Sequence, residues 1–69
     1  MKEELLGNWV EVELVNAKKW IGILQEWDEE AVFISNGYPF GHTDHKGAEC
    51  TSEEVKAIVA TSKNEFSVA

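Results

Sequence analysis

The sequence predicts a mainly β domain, with a short N-terminal helix followed by a five-stranded, strongly bent antiparallel sheet that curls into a small barrel. Three observations carry that expectation. Val10, Val12 and Leu14 alternate with Glu11 and Glu13, and Phe66 alternates with Val68, the two-residue period of a strand with one wet face. Short polar stretches at 16–18, 28–30 and 63–64 divide the apolar runs at the spacing of hairpin turns. Gly22 interrupts an apolar run, and a glycine inside a strand marks a sharp bend or a close backbone approach.

The elements follow in order. Lys2–Leu6 carries Glu3 and Glu4 near its start and leucines at its end. Acids in a first turn suit the helix dipole, and Gly7 is a natural stop, so a helix of one or two turns is expected. The first strand covers Val10–Leu14 and turns at Asn16-Ala17-Lys18. The second is Trp20–Leu24, followed by a turn at Asp28-Glu29-Glu30. Ala31–Ile34 is a continuous apolar run, the pattern of a strand covered on both faces, and Ser35-Asn36-Gly37 ends it. Residues 37–53 hold Gly37, Gly41, Gly47 and Pro39 among polar residues and read as a long loop, with a short extended piece at Tyr38–Phe40. Thr51-Ser52-Glu53-Glu54 has the form of a capping box. The following 55–61 alternates at Val55, Ala57 and Val59 and is read as a strand. Phe66 and Val68 complete the last one.

A single domain over 1–69 is all the length allows. A core of this size is marginal alone, and small scaffolds rely on disulfides, metals or oligomerisation. One cysteine excludes an intrachain disulfide, which leaves assembly as the expected source of stability. The apolar runs are too short to span a bilayer, and MKEELLG has no apolar signal core. A cytoplasmic protein with no membrane role is therefore expected.

Thirteen acidic residues face six basic ones, all lysine, for a formal net charge of −7. The excess is spread along the chain, and no basic stripe offers phosphates a surface.

From Leu5 to Asn36 the residues are more specific. Leu5, Leu6 and Gly7 open the block, and Val10, Val12 and Leu14 alternate after them. Trp20, Gly22 and Leu24 follow a polar turn, and Trp27-Asp28 leads into Phe33 and Ile34. This register resembles the first conserved block of the Sm/LSm family. The resemblance implies a helix followed by a five-stranded Sm-like (SH3-like) barrel. It also implies a homo-oligomeric ring, in which the fourth strand of one subunit pairs with the fifth of its neighbour. A ring removes exposed strand edges by pairing them.

The same resemblance locates an RNA pocket just after Asp28. Uridine-binding members place a stacking aromatic or histidine and a base-reading asparagine there, where this chain has Glu30 and Val32. Glutamate cannot stack and repels phosphate, and valine has no donor for a base. The family's second block puts arginine–glycine in the last hairpin. This chain has no arginine, and Ser62-Lys63 falls in that place. The RNA-binding candidates are thus Asp28, Glu30, Val32, Ser62 and Lys63, a pocket with its recognition groups replaced. Trp9, set on the Glu11/Glu13 face, is a candidate subunit contact, together with Val59, Phe66 and Val68 on the last two expected strands.

His42, Asp44, His45 and Cys50 are metal-ligand types, but their spacing matches no metal motif. A polar loop is the expectation, with no metal and no cofactor. Cys50 has no orienting partner for nucleophilic work. Glu29 and Glu30 read as a charged turn rather than an acid–base pair, and Lys18-Lys19 as a solvated hairpin. No catalytic constellation is present, so no enzymatic activity is expected. The expected function is an Sm-like, RNA-associated ring with a degraded uridine pocket. The alternative is a structural or protein-interaction ring with no nucleic-acid role. The partners are the chain itself, RNA weakly, and other proteins.

Overall fold

A computed structural model describes residues 3–69 of the chain. The N-terminal helix is shorter than its sequence suggests. It is one 3-10 turn at Glu3–Leu5, closed by Leu6 N–H donating to Glu3 O and Asn8 N–H to Leu5 O. Lys2, the first residue of the expected helix, lies outside the described residues. A segment this short cannot offset the cost of nucleating an α-helix. Gly7 takes a positive φ of 79°, and its N–H donates to Leu24 O at 2.8 Å. The turn is thereby stitched to the sheet within two residues.

Six strands follow: β1 (Trp9–Leu14), β2 (Lys19–Trp27), β3 (Ala31–Ser35), β4 (Gly47–Thr51), β5 (Val55–Ala60) and β6 (Ser67–Val68). All pairings are antiparallel, in the order β4-β3-β2-β1-β5, with β6 also on β2. Two features depart from the sequence reading. The expected loop over 37–53 contains β4, so the strands number six rather than five, and Tyr38–Phe40 lies in turns rather than in an extended piece. The sheet is also open. Its outer strands β4 and β5 are not paired with each other, so the barrel is not closed.

Residue parity builds the core. Val10, Val12 and Leu14 of β1 point inward with Leu24, Val32, Ile34, Cys50 and Ile58, and Glu11 and Glu13 remain on the outer face. Lys19 and Lys56 reach those two glutamates at 3.4 and 3.8 Å. These are partly or largely solvated pairs of small energetic weight. Gly22 faces inward opposite Val10, and a Cβ there would lie 3.0 Å from Ile34 Cδ1 and 3.1 Å from Ser35 O. The glycine thus permits a close approach of β2 and β3.

β2 runs three residues beyond its expected end because it carries a bulge. Leu24 pairs with Ile34 and Glu26 with Phe33, leaving Gln25 without an opposite residue. The extra residue reverses the parity, so that Trp27, an odd-numbered residue, packs against the core as Trp20 does. Bulges re-aim side chains in this way. β3 is covered unevenly on its two faces. Val32 and Ile34 are in the core, whereas on the other side Ala31 and Phe33 are half-buried and Ser35 is buried.

Candidate functional site

The turn between β2 and β3 organises the first part of the candidate site. Asp28 Oδ1 accepts hydrogen bonds from Glu30 N–H at 2.8 Å and Ala31 N–H at 2.9 Å. Donation first from the Ala31 amide and then from the Glu30 amide holds the Asp28 carboxyl below its ordinary value, against a small opposing desolvation. Asp28 is therefore a turn-forming residue whose charge the backbone uses.

The connection between β4 and β5 is the second part. Ser52–Glu54 forms a 3-10 turn, and Glu54 Oε1 accepts from both the N–H and the hydroxyl of Thr51. Ser52 Oγ donates to Asp28 O at 2.6 Å, and Ser52 N–H donates to Glu30 O at 3.0 Å. The two connections therefore lie together. Between them is a shallow groove of about 350 Å³, lined by Glu30, Ala31, Glu49, Cys50, Thr51 and Glu54.

The candidates from the sequence separate on this frame. The Asp28 carboxylate is turned onto the backbone of its own turn, whereas Glu30 lines the groove. Val32 lies beneath it in the core, 1% exposed, with no route to a ligand. Ser62 and Lys63 follow the far end of β5. Glu54 O accepts from Val15 N–H beyond one end of β1, whereas Thr61 N–H donates to Trp9 O at the other. Lys63 lies near Ile21, Asn64, Glu65 and Ser67. The link between the fourth and fifth strands is thus Ser52-Glu53-Glu54, and Ser62-Lys63 does not occupy it. The capping box at Thr51–Glu54 was the available signal for the 3-10 turn that makes this link.

The groove is acidic. Glu30 of one turn and Glu54 of the other line it, with Glu49 on the adjoining strand. The two ion pairs found among the described residues are both elsewhere, on β1. Burial, then the nearby Glu54 and Glu49 carboxylates, push the Cys50 thiol up. It remains protonated at neutral pH and is a poor nucleophile.

The interface candidates divide as well. Trp9 is half-buried on the outer face of β1, and Phe66 packs partly against the core. Val59 on β5 and Val68 on β6 are exposed, at 53% and 43%. His42 stacks on Tyr38 and His45 tilts against Phe40, whereas Cys50 is in the core. The described residues contain no group of three side chains able to hold a metal, and no helix among them is long and apolar enough to cross a membrane. No family model, curated protein or solved structure matches the chain.

Proposed function

We propose that the chain is an Sm-like subunit that assembles edge to edge into a homo-oligomeric ring, with a mouth that does not grip uridine. One observation carries this reading: β4 and β5 are the two outer strands of a single open sheet. Each presents backbone N–H and C=O groups with no strand to pair them, a standing template for another chain. Because the two edges differ, pairing them is heterologous, and a heterologous contact closes into a ring when the rotation allows. The Sm-like register of Leu5–Asn36 supports the same assembly, as does the small core of the isolated chain.

RNA association, on this reading, is weak and not directed to uridine. The turn that would stack and read a base offers Glu30, and the fourth-to-fifth connection adds Glu53 and Glu54. A second reading, a protein-interaction ring with no nucleic-acid role, is favoured by that same convergence of carboxylates. Filter binding of short RNAs at two salt concentrations separates the two. Residual binding that collapses with added salt supports a weak, phosphate-directed contact, and no binding at low salt supports the protein-interaction ring. Tight, uridine-selective binding that survives raised salt would overturn both.

A further inference from the structure

The outer face of β3 carries a second, separate feature. Phe33 and Ser35 point away from the core, and the loop 36–46 folds back over them. Asn36 staples that loop: its Nδ2 donates to Asp44 O at 2.6 Å, and its Oδ1 accepts from Tyr38 N–H and Lys46 N–H. His42 Nδ1 accepts from Asp44 N–H, and His45 N–H donates to His42 O. The loop is internally bonded and presents two aromatic pairs, Tyr38 with His42 at 4.9 Å between ring centroids and Phe40 with His45 at 4.7 Å.

Between loop and strand is a cleft of about 260 Å³. Its aromatic walls are Phe33, Tyr38, Phe40 and His45, and its polar groups are Gln25 and Ser35. Phe33 can lie there because Gly47 has no side chain: a Cβ at Gly47 would be 2.7 Å from Phe33 Cε1. Gln25 is available because it is the bulged residue of β2. Its Nε2 donates to Ser35 Oγ at 2.7 Å, and Ser35 Oγ also accepts from Gly37 N–H at 3.3 Å. That leaves the Gln25 amide oxygen as an acceptor and the Ser35 hydroxyl hydrogen as a donor. Ser35 is the one buried polar residue among the described residues, at 2% exposure. Phe40, at 83% exposure, is an aromatic face with no intramolecular cover beyond its tilted histidine.

We propose that this cleft binds a nucleobase, presented as an uncharged nucleoside. Aromatic walls offer stacking to any planar heterocycle, and an adjacent acceptor and donor match the alternating groups on a base edge. No lysine lines the cleft and the chain carries a formal charge of −7, so a phosphate gains no partner and meets net repulsion. The site uses residues of one chain only and does not depend on ring assembly.

The test is an NMR titration of the full chain with adenosine, guanosine, cytidine and uridine, with adenosine 5′-monophosphate and indole as comparisons. The expected result is saturable, millimolar binding of at least one nucleoside. It should shift the Gln25 side-chain amide and the backbone amides of Gly37–Lys46, and the monophosphate should bind more weakly than adenosine. Phe40→Ala, at an exposed position, should weaken binding about tenfold with an otherwise unchanged spectrum. Gln25→Ala should weaken nucleosides more than indole, whose single N–H is its only edge group. Absence of saturation up to about 10 mM, about tenfold weaker than a millimolar Kd, would overturn the proposal. So would shifts centred elsewhere, or indole binding as tightly as the nucleosides with no effect of Gln25→Ala.

Discussion

Ser52 Oγ donates a 2.6 Å hydrogen bond to the backbone carbonyl of Asp28, joining residues 24 positions apart in the chain. With Ser52 N–H on Glu30 O, this pair of bonds fastens the β4–β5 connection to the β2–β3 turn. It thereby brings Glu30 and Glu54 to one groove. The acidity of the groove is a consequence of chain topology as much as of composition.

Removing that hydroxyl should loosen the junction. Ser52→Ala is expected to lower stability by about 0.5–1.5 kcal/mol, the net worth of a typical intramolecular hydrogen bond. Denaturant unfolding checks it, and an unchanged midpoint would show that the junction is held by the backbone bond alone.

Asp28 gives the turn a pH dependence of known sign. Its carboxyl lies below the ordinary value in the folded chain because two backbone amides donate to it. A depressed folded value adds stability that is fully present above the unfolded value and lost as pH falls through the folded one. The stability difference between the wild type and Asp28→Ala should therefore be largest near neutrality. It should shrink below about pH 4, the ordinary aspartate range. A constant difference across that window would show that the carboxylate charge is not what the turn uses.

Gly22 sits at a close approach of β2 and β3, with Ile34 Cβ 3.2 Å from the position of an added Cβ. Gly22→Val should destabilise the fold by about 1–3 kcal/mol, the scale of overpacking. Wild-type melting of that variant would contradict the account of this close approach.

Oligo-uridine should bind weakly or not at all at physiological salt. The acidic groove opposes a polyanion over a screening length of about 8 Å, and it has no aromatic lining to supply stacking worth about 1–3 kcal/mol per base. Burial of Val32 also limits repair of the pocket. Glu30→His alone, at an exposed position, should improve residual binding. Val32→Asn should instead destabilise the chain by about 1–3 kcal/mol, the cost of an unpaired buried polar group. Filter binding and melting of the two single variants check this, and a stable Val32→Asn chain that gained uridine affinity would contradict the burial argument.

Much of the sheet was legible where the hydrophobic period was clean. β1 could be read from Val10, Val12 and Leu14, and its outer face from Glu11 and Glu13. β4 was not legible: Gly47-Ala48-Glu49-Cys50-Thr51 has a glycine, no large aliphatic residue, and one inward position filled by cysteine. Its strand form is set by pairing with β3 rather than by propensity. Missing it also hid the Ser52–Glu54 connection between β4 and β5. Val32 looked like a pocket residue in a linear register, but alternation from Ile34 places it in the core. The bulge at Gln25 left no mark in the sequence except the inward Trp27, whose parity disagrees with that of Leu24.

Pairing of the β4 and β5 edges is the central claim, and solution mass tests it most directly. Thr61 N–H donates to Trp9 O, so strand alternation turns the Ala60 N–H away from β1 and toward the free edge. Ala60 is exposed, and Ala60→Pro removes that donor while leaving the β1 ladder intact. Light scattering should give the wild type a mass several times 7.8 kDa at micromolar concentration, and Ala60→Pro a folded chain of near-monomer mass. A wild-type monomer across that range, or an Ala60→Pro oligomer of unchanged mass, would contradict assembly through these two edges.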